Sequence, residues 1–311
     1  MSSPVPIFET VHGSRAYGLA RLGSDTDRKG VVVGPTRWYL GVRPGPEQVE
    51  LSPDHVRYDV RKFLRLLGNA NPTVLETLFT APEHHEIVTT AGERLLAERE
   101  RFLTRRVGQT FAGYALGQLQ RIRRHRRWLR DPPETPPTRA AFGLPERTLV
   151  PKDQRGAAET LIARAEERGE PPPAYEASFL EVLAREKRYA AAKKEHAQFQ
   201  RWKRERNPAR AALEAAHGYD TKHAMHLVRL QRMAREILAG EGVRVTRDDR
   251  AELLAIRDGA WSYDALVAHA EAESAAIREA ERTSALPGAV DEDLLDALAE
   301  TLITMTWETQ R

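Results

Sequence analysis

The stretch from residue 13 to residue 33, GSRAYGLARLGSDTDRKGVVV, combines a glycine–serine turn, a pair of aspartates and a valine-rich strand. Asp25 and Asp27 are two residues apart, so in extended backbone their side chains point to the same side. Two such carboxylates can bind one divalent cation together, because hard cations prefer oxygen ligands. The run Gly30–Gly34 predicts a short buried strand bounded by turn residues. The stretch therefore predicts a carboxylate metal site at the edge of a sheet.

Other strand signals are confined to the first 60 or so residues. Ile7–Val11 and Asp54–Tyr58 show the composition and alternation of strands. From Asp59, a candidate N-cap, the apolar spacing becomes helical, and helical patterns dominate the remainder of the chain. We therefore predict an α+β protein with a small N-terminal sheet domain, residues 1–100, and a larger, mostly helical domain, residues 101–311. Helices are expected near 153–168, 175–205, 208–216, 220–239, 248–257 and 262–283.

The composition excludes several classes of site. The 311 residues include no cysteine, which rules out disulfides, thiolate nucleophiles and iron–sulfur clusters. Any metal must be held by oxygen or imidazole ligands. No apolar run approaches the roughly 20 residues that span a bilayer, and the N-terminus lacks the pattern of a secretion signal. We therefore expect a cytoplasmic protein that does not enter a membrane.

Positive charge is concentrated locally. The net charge is only +3, but residues 121–130, RIRRHRRWLR, hold six arginines and no acidic residue. Such a run is typical either of a solvated helix face or of a surface that binds a polyanion such as RNA. Arg123, Arg124 and Arg127 of this run are candidate nucleic-acid contacts. Arg61 and Lys62, which lie outside the run, are further candidates.

A third carboxylate is expected on a neighbouring strand. Asp54 follows Asp27 by about 27 residues and begins the last predicted strand. Glu50 is a competing candidate, whereas Asp59 is better explained as a helix cap. Three carboxylates could hold two metal ions, the arrangement that promotes in-line phosphoryl displacement.

These motifs resemble the DNA polymerase β nucleotidyltransferase superfamily, whose signature is Gly-Ser, Asp-x-Asp and a later strand aspartate. More narrowly, the stretches GSRAYGLARLGSDTDRKGVVV, YDVRKFLRLLGNANPTVLETLF, FAGYALGQL and GYDTKHAMHLVRL resemble the RNA-repair-associated, RlaP-type branch. The resemblance extends from about residue 11 to about residue 230.

The resemblance implies a role for each matching residue. Gly13 and Ser14 would hold the triphosphate of a nucleotide. Asp25, Asp27 and Asp54 would ligate two Mg²⁺ or Mn²⁺ ions and catalyse the transfer. On the helix expected near residues 220–239, Lys222 and Arg229 fall near one face. Because this segment matches the branch, both are candidates for neutralising the triphosphate, although a solvated basic face would show the same spacing.

The function implied is metal-dependent transfer of a nucleoside monophosphate from an NTP, with ATP the expected nucleotide, to a hydroxyl. The resemblance suggests an RNA 3′ end in RNA repair or processing as the acceptor. Two alternatives remain open: a protein AMP-transferase of toxin–antitoxin type, and a non-catalytic RNA-binding module with structural acidic residues. The base preference and the oligomeric state are not encoded in the spacing.

Overall fold

The computed structural model describes residues 3–148, 152–169 and 177–310. Its N-terminal part contains a five-stranded sheet with strand order β3-β4-β2-β1-β5. Only β2 and β4 are parallel, and the other neighbouring strands are antiparallel. The strands are β1 (Val5–His12), β2 (Asp27–Val33), β3 (Gln48–Ser52), β4 (His55–Asp59) and β5 (His85–Val88).

Helices make up most of the remainder of the described chain, and short 3₁₀ turns occur at Pro82–His84, Arg99–Phe102 and Ala140–Phe142. The α-helices are α1 (Gly13–Ala16), α2 (Arg37–Leu40), α3 (Val60–Gly68), α4 (Pro72–Leu78), α5 (Thr90–Ala97), α6 (Arg106–Arg130), α7 (Lys152–Glu167), α8 (Ala177–Glu205), α9 (Pro208–His217), α10 (Thr221–Leu238), α11 (Arg250–Arg257), α12 (Tyr263–Thr283) and α13 (Glu292–Thr309).

Local sequence explains where the first helices start. The side chain of Asp59 accepts a hydrogen bond from the backbone N–H of Arg61 and so caps α3, as predicted. Asn71 caps α4 in the same way, with Pro72 in the first turn, where its missing N–H has no cost. These helices bury their apolar sides against the sheet.

The α+β class is confirmed, and the three predicted strands correspond to β1, β2 and β4. The sequence pattern does not predict β3, β5 or α13. The predicted helix 175–205 corresponds to α8, although residues 175 and 176 lie outside the described part of the chain.

The chain divides into two compact units, and their limits differ from the expected boundary at residue 100. One unit comprises residues 1–123 and 213–311, and the other comprises residues 124–212. The physical reason is a shared core. Leu227 of α10 and Leu302 of α13 are buried in the same apolar cluster as Phe8 of the sheet. A cut at residue 100 would divide this core, whereas the observed division keeps it whole.

The second unit has an apolar cluster and a buried ion pair of its own. Trp128 and Phe199 are almost fully buried and make an edge-to-face contact. Arg139 pairs with Glu186, whose side chain is 2% exposed.

Candidate active site

The turn after β1 brings backbone close to the first residue of β2. Gly13 has a φ of +67°, a left-handed conformation that residues with a side chain adopt only with strain. A Cβ atom at this position would lie 2.2 Å from Oδ2 of Asp27. Glycine therefore allows the turn to lie directly against this carboxylate. Ser14 follows, half-buried, and within the described residues its hydroxyl makes no hydrogen bond.

Asp27 and Asp54 lie at the same level because β2 and β4 are parallel and begin together. Arg28 pairs with His55 in this ladder. Asp27 immediately precedes Arg28, and Asp54 immediately precedes His55, so the two aspartates lie side by side. The backbone N–H of Arg28 donates to the carbonyl oxygen of Asp54 at 2.7 Å. Parallel pairing thus brings together two carboxylates that are far apart in sequence.

The electrostatics of Asp27 show which charges surround it. Burial raises the pKa of its carboxyl group, and the negative charges of Asp54 and Asp25 raise it further. The positive charges of Lys29 and Lys222 act in the opposite direction. Three aspartates therefore share one neighbourhood. Because clustered carboxylates repel each other, and because they are hard oxygen donors, this set fits Mg²⁺ or Mn²⁺.

Lys222 reaches this neighbourhood from the first turn of α10. Asp220 begins the helix by accepting a hydrogen bond from the backbone N–H of His223 at 3.0 Å. The Nδ1 atom of His223 lies 2.5 Å from Oδ2 of Asp220, and Arg121 of α6 bonds the other ring nitrogen at 3.1 Å. An arginine can only donate, so Nε2 of His223 accepts and Nδ1 carries the proton. These contacts fix the end of α10 that carries Lys222.

A buried polar network links α10 to the turn after β1. Arg229 of α10 donates to Oε1 of Glu76 of α4 at 2.7 Å. The hydroxyl of Tyr17 donates to Oε2 of the same carboxylate, and the guanidinium carbon of Arg229 lies 3.8 Å from the centre of the Tyr17 ring. The residues Tyr17, Glu76 and Arg229 are each at most 5% exposed. The network therefore holds three elements together inside the unit.

His12, the last residue of β1, lies against this network without bonding to it. Its Nε2 atom is 3.8 Å from Oε2 of Glu76, beyond hydrogen-bond distance, and has no hydrogen-bond partner among the described residues. Burial lowers the pKa of His12 to about 4. The imidazole next to Gly13 is therefore neutral at pH 7.

The placement of Arg229 differs from the nucleotide contact that the sequence suggests. Its guanidinium is 5% exposed and is engaged by Glu76, so it faces the interior of the unit. Its partner Glu76 has no part in the sequence prediction. The sequence does contain a signal for it. Glu76 is the one acidic residue of α4, and it stands between Leu75 and Thr77 in a mostly apolar helix. A charged group in such a run needs a buried partner.

Two basic residues of α3 are occupied by their own neighbours. Arg61 pairs with Asp59 at 3.1 Å and stacks over the ring of Tyr39 at 4.3 Å. Lys62 donates to the side chain of Gln48 at 2.8 Å. These contacts stabilise the start of α3, and RNA contact by Arg61 and Lys62 remains a prediction.

The acidic alternatives to Asp54 have other roles in the fold. Asp59 is 2% exposed, caps α3 and accepts a hydrogen bond from the Tyr39 hydroxyl at 2.8 Å. Glu50 is exposed on β3, where it accepts a hydrogen bond from Gln48. Asp54 is therefore the acid that parallel pairing brings to Asp27.

The other predicted RNA contacts are divided between the two units. Arg123 belongs to the first unit and pairs with Glu271 at 3.2 Å, with both side chains largely exposed. In the second unit, Arg124 lies over the ring of Trp128 at 5.4 Å, and Arg127 pairs with Glu195. Their RNA contact also remains a prediction.

Comparison with known proteins tests the family resemblance. A family model described as RlaP, the RNA repair pathway DNA polymerase beta family, matches residues 3–303. The chain belongs to the RlaP family. Membership confirms the resemblance seen in the sequence and supports a nucleotidyltransferase activity in general. The matched residues include parts of both compact units.

One curated relative of this RlaP chain is an uncharacterized protein, YcgL, from Bacillus subtilis (strain 168). It is 31% identical over 101 residues, which are 31% of this chain and 38% of the relative. The match thus spans well under half the length of that relative. No solved structure matches the chain. Among the described residues, no helix combines the length and apolar character needed to cross a membrane.

Proposed function

We propose that the protein is a metal-dependent nucleotidyltransferase that moves a nucleoside monophosphate from an NTP to the 3′-hydroxyl of an RNA. The main support is the convergence of Asp25, Asp27 and Asp54 beside the turn at Gly13, with Lys222 close enough to affect the pKa of Asp27. Family membership supports the reaction class, and the words RNA repair in the family description support the acceptor.

In this proposal the carboxylates and the turn divide the work at the nucleotide. Asp25, Asp27 and Asp54 would hold the metal ions. Mg²⁺ or Mn²⁺ bound there would supply the positive charge that stabilises the attacking and leaving oxygens of an in-line displacement. Gly13 and Ser14 would contact the triphosphate through backbone N–H groups and the Ser14 hydroxyl.

Lys222 would neutralise charge on the triphosphate. Its ammonium group already lies within electrostatic range of Asp27, so a triphosphate bound at the carboxylates would be within range as well. Arg229 acts as a positioning residue in this scheme. By bonding Glu76, it ties α10, and therefore Lys222, to the α4 helix and to Tyr17 near the turn.

The reaction exchanges a phosphoanhydride bond of the NTP for a phosphodiester bond in the product. The acceptor 3′-oxygen forms a bond to the α-phosphorus, the bond from that phosphorus to its bridging oxygen breaks, and pyrophosphate leaves. The proton of the hydroxyl is released to solvent. Positioning and fixed charge supply most of the rate in such transfers, which is consistent with a site built from acidic and basic residues.

The acceptor is tested by incubating the purified protein with Mg²⁺ or Mn²⁺ and each of the four NTPs labelled on the α-phosphate. One set of reactions contains an RNA with a free 3′-hydroxyl, and a matched set contains the same RNA with its 3′ end blocked. We expect label in the RNA only when the 3′-hydroxyl is free, and only when a metal is present.

Two results would contradict the proposal. Label that enters protein and never RNA would establish the AMP-transferase alternative. RNA binding without label in any product, under either metal and with every NTP, would instead support a non-catalytic RNA-binding module. The NTP preference is read from the same reactions.

A further inference from the structure

A cavity of about 450 Å³ in the first unit is lined mainly by arginine. It lies between the start of α6 and the end of α12, and none of its lining residues belongs to the carboxylate cluster. Its principal lining residues are Arg105, Arg106, Gln109, Arg278, Glu281 and Arg282. Four guanidinium groups thus face one concave space that contains a single acidic side chain.

The positive charge of this cavity is only partly cancelled by its surroundings. Glu281 accepts a hydrogen bond from the neutral amide of Gln109 at 2.8 Å, so it keeps its negative charge and offsets one of the four arginines. Arg106 donates to the carbonyl of Gly68 and to the side-chain oxygen of Asn69, which are neutral acceptors. The charge of Arg106 is therefore retained.

Two more of the arginines have no acidic partner. Within the described residues, neither Arg105 nor Arg278 has a carboxylate at ion-pair distance, and both side chains are exposed. The backbone N–H of Arg105 bonds the carbonyl of Pro287 at 2.8 Å, which fixes the loop after α12 against the start of α6. Only Arg282 is paired, with Glu279 one turn earlier.

The cavity continues along the surface through a shared residue. Arg106 also lines a second cavity of about 400 Å³, together with Arg61 and Arg65 of α3. The second cavity includes Glu292 and Asp296, so its charge is mixed. The strongest anion-binding position is therefore the first cavity, with a less positive extension toward α3.

We infer that the arginine cavity binds backbone phosphates of the acceptor RNA, upstream of its 3′ end. Guanidinium groups match phosphate oxygens with paired hydrogen bonds, and several in one concave space suit a ligand with repeated phosphates. This identification of the ligand rests on the proposed function, whereas the cavity and its charge do not.

The position of the cavity favours an RNA chain over a free nucleotide. Along α6, Arg106 at the cavity is fifteen residues from Arg121, which bonds His223 beside Lys222. At about 1.5 Å per residue this separation is about 22 Å along the helix. A single nucleotide is shorter than this separation, whereas an RNA of several nucleotides can contact both the cavity and the site beside Lys222.

The test compares two double variants with the same loss of charge. Arg105→Gln/Arg278→Gln changes the cavity, and Arg37→Gln/Arg43→Gln changes exposed arginines beyond the far end of β2 that also lack partners in the described chain. Binding of a fluorescent single-stranded RNA to the full chain is measured at several salt concentrations, without NTP. Binding of ATP is measured in parallel.

We expect the cavity variant to lose two phosphate contacts. Each contact to a single strand contributes about 0.7 to the slope of log K against log salt, so the slope should fall by about 1.4. With equal affinities at 1 M salt, this is about a 25-fold weaker affinity at 0.1 M. The control variant should bind RNA as the wild type does, and ATP binding should be unchanged in both.

Three results would overturn the inference: an unchanged affinity for RNA in the cavity variant, an equal loss in the control, or a loss confined to ATP. Absence of RNA binding by the wild type would also overturn it. The proposed function is tested independently of the cavity, because RNA binding is measured without turnover. Cavity-dependent binding in a protein that transfers no nucleotide would refute the function alone, and transfer with unaffected binding would refute the cavity assignment alone.

Discussion

Replacing Glu76 by glutamine should destabilise the first unit strongly, although the two side chains have nearly the same shape. Glu76 and Arg229 are buried, with side chains 2% and 5% exposed, and they are 2.7 Å apart. In Glu76→Gln, the amide still reaches Tyr17 and Arg229, but the guanidinium remains as a buried charge without a counter-charge. Removal of one partner of a buried pair costs about 3–5 kcal/mol.

The expected loss is large enough to measure by thermal or urea unfolding followed by circular dichroism. For domains of about 150–250 residues, 1 kcal/mol corresponds to about 2–4 °C in Tm, so Glu76→Gln should lower Tm by roughly 6–20 °C. Arg229→Met should cost a similar amount because it leaves the carboxylate unpaired. The double variant removes both charges, so its loss should be smaller than the sum of the single losses by about 2 kcal/mol or more.

Two outcomes would refute this reasoning. A loss below about 1 kcal/mol for Glu76→Gln would mean that the pair is effectively solvated. Strict additivity in the double variant would mean that the two charges do not stabilise each other.

Three further predictions follow from single contacts. Gly13→Ala should lower the free energy of unfolding by about 1–2 kcal/mol, because alanine is strained in the left-handed backbone conformation of this position. It should also lower the rate of nucleotidyl transfer at least tenfold, because the new Cβ would displace the carboxylate of Asp27. Unfolding experiments measure the first effect, and initial rates measure the second. Lys222→Met should lower kcat/KM for NTP by roughly 10–100-fold, with partial recovery in Lys222→Arg, as read from initial rates over a range of NTP concentrations; an unchanged kcat/KM would exclude a role for this charge. Burial raises the pKa of Glu9, but hydrogen bonds from Arg57 and His55 outweigh this effect and leave the pKa below its ordinary value of 4.5. The stability that the ionised Glu9 contributes is therefore present above about pH 4.5 and is lost as the pH falls through the lowered pKa. The unfolding free energy of Glu9→Gln should therefore fall less steeply with acid than that of the wild type, and parallel curves would contradict this.

The parts of the fold that could be predicted are those whose pattern is local. Strands β1, β2 and β4 are apolar runs with clear turn residues, and Asp59 is a recognisable cap. Strands β3 and β5 are short, and most of their residues are polar or only partly buried, so they form because a neighbouring strand offers hydrogen bonds. The return of α10 and α13 to the sheet is a long-range contact, which no local pattern encodes.

In the candidate site too, the features that depend on local geometry could be predicted, and those that depend on long-range packing could not. The expectation that Asp25 and Asp27 share a side comes from strand geometry, although Asp25 lies before the start of β2. The meeting of Asp27 with Asp54 follows from parallel pairing once the strand order is known. Helical spacing places Lys222 and Arg229 near one face, but the environment of that face depends on where α4 packs. The sequence therefore assigns Arg229 to the nucleotide, whereas the fold gives its guanidinium a buried partner in Glu76.

The decisive measurement is the metal-dependent rate of nucleotide transfer to RNA by Asp27→Asn, beside Glu50→Gln as the matched control. Glu50 is an exposed acid on β3, the edge strand beside β4, so its loss changes the same charge outside the carboxylate cluster. Loss of several kcal/mol of transition-state stabilisation should slow Asp27→Asn by about 10²–10³-fold, with circular dichroism confirming that the variant is folded. Glu50→Gln should retain the wild-type rate within about twofold, as expected for a surface change away from the site. A folded Asp27→Asn that keeps more than about a tenth of the rate, or an equal loss in Glu50→Gln, would contradict the assignment of the carboxylate cluster as the catalytic site.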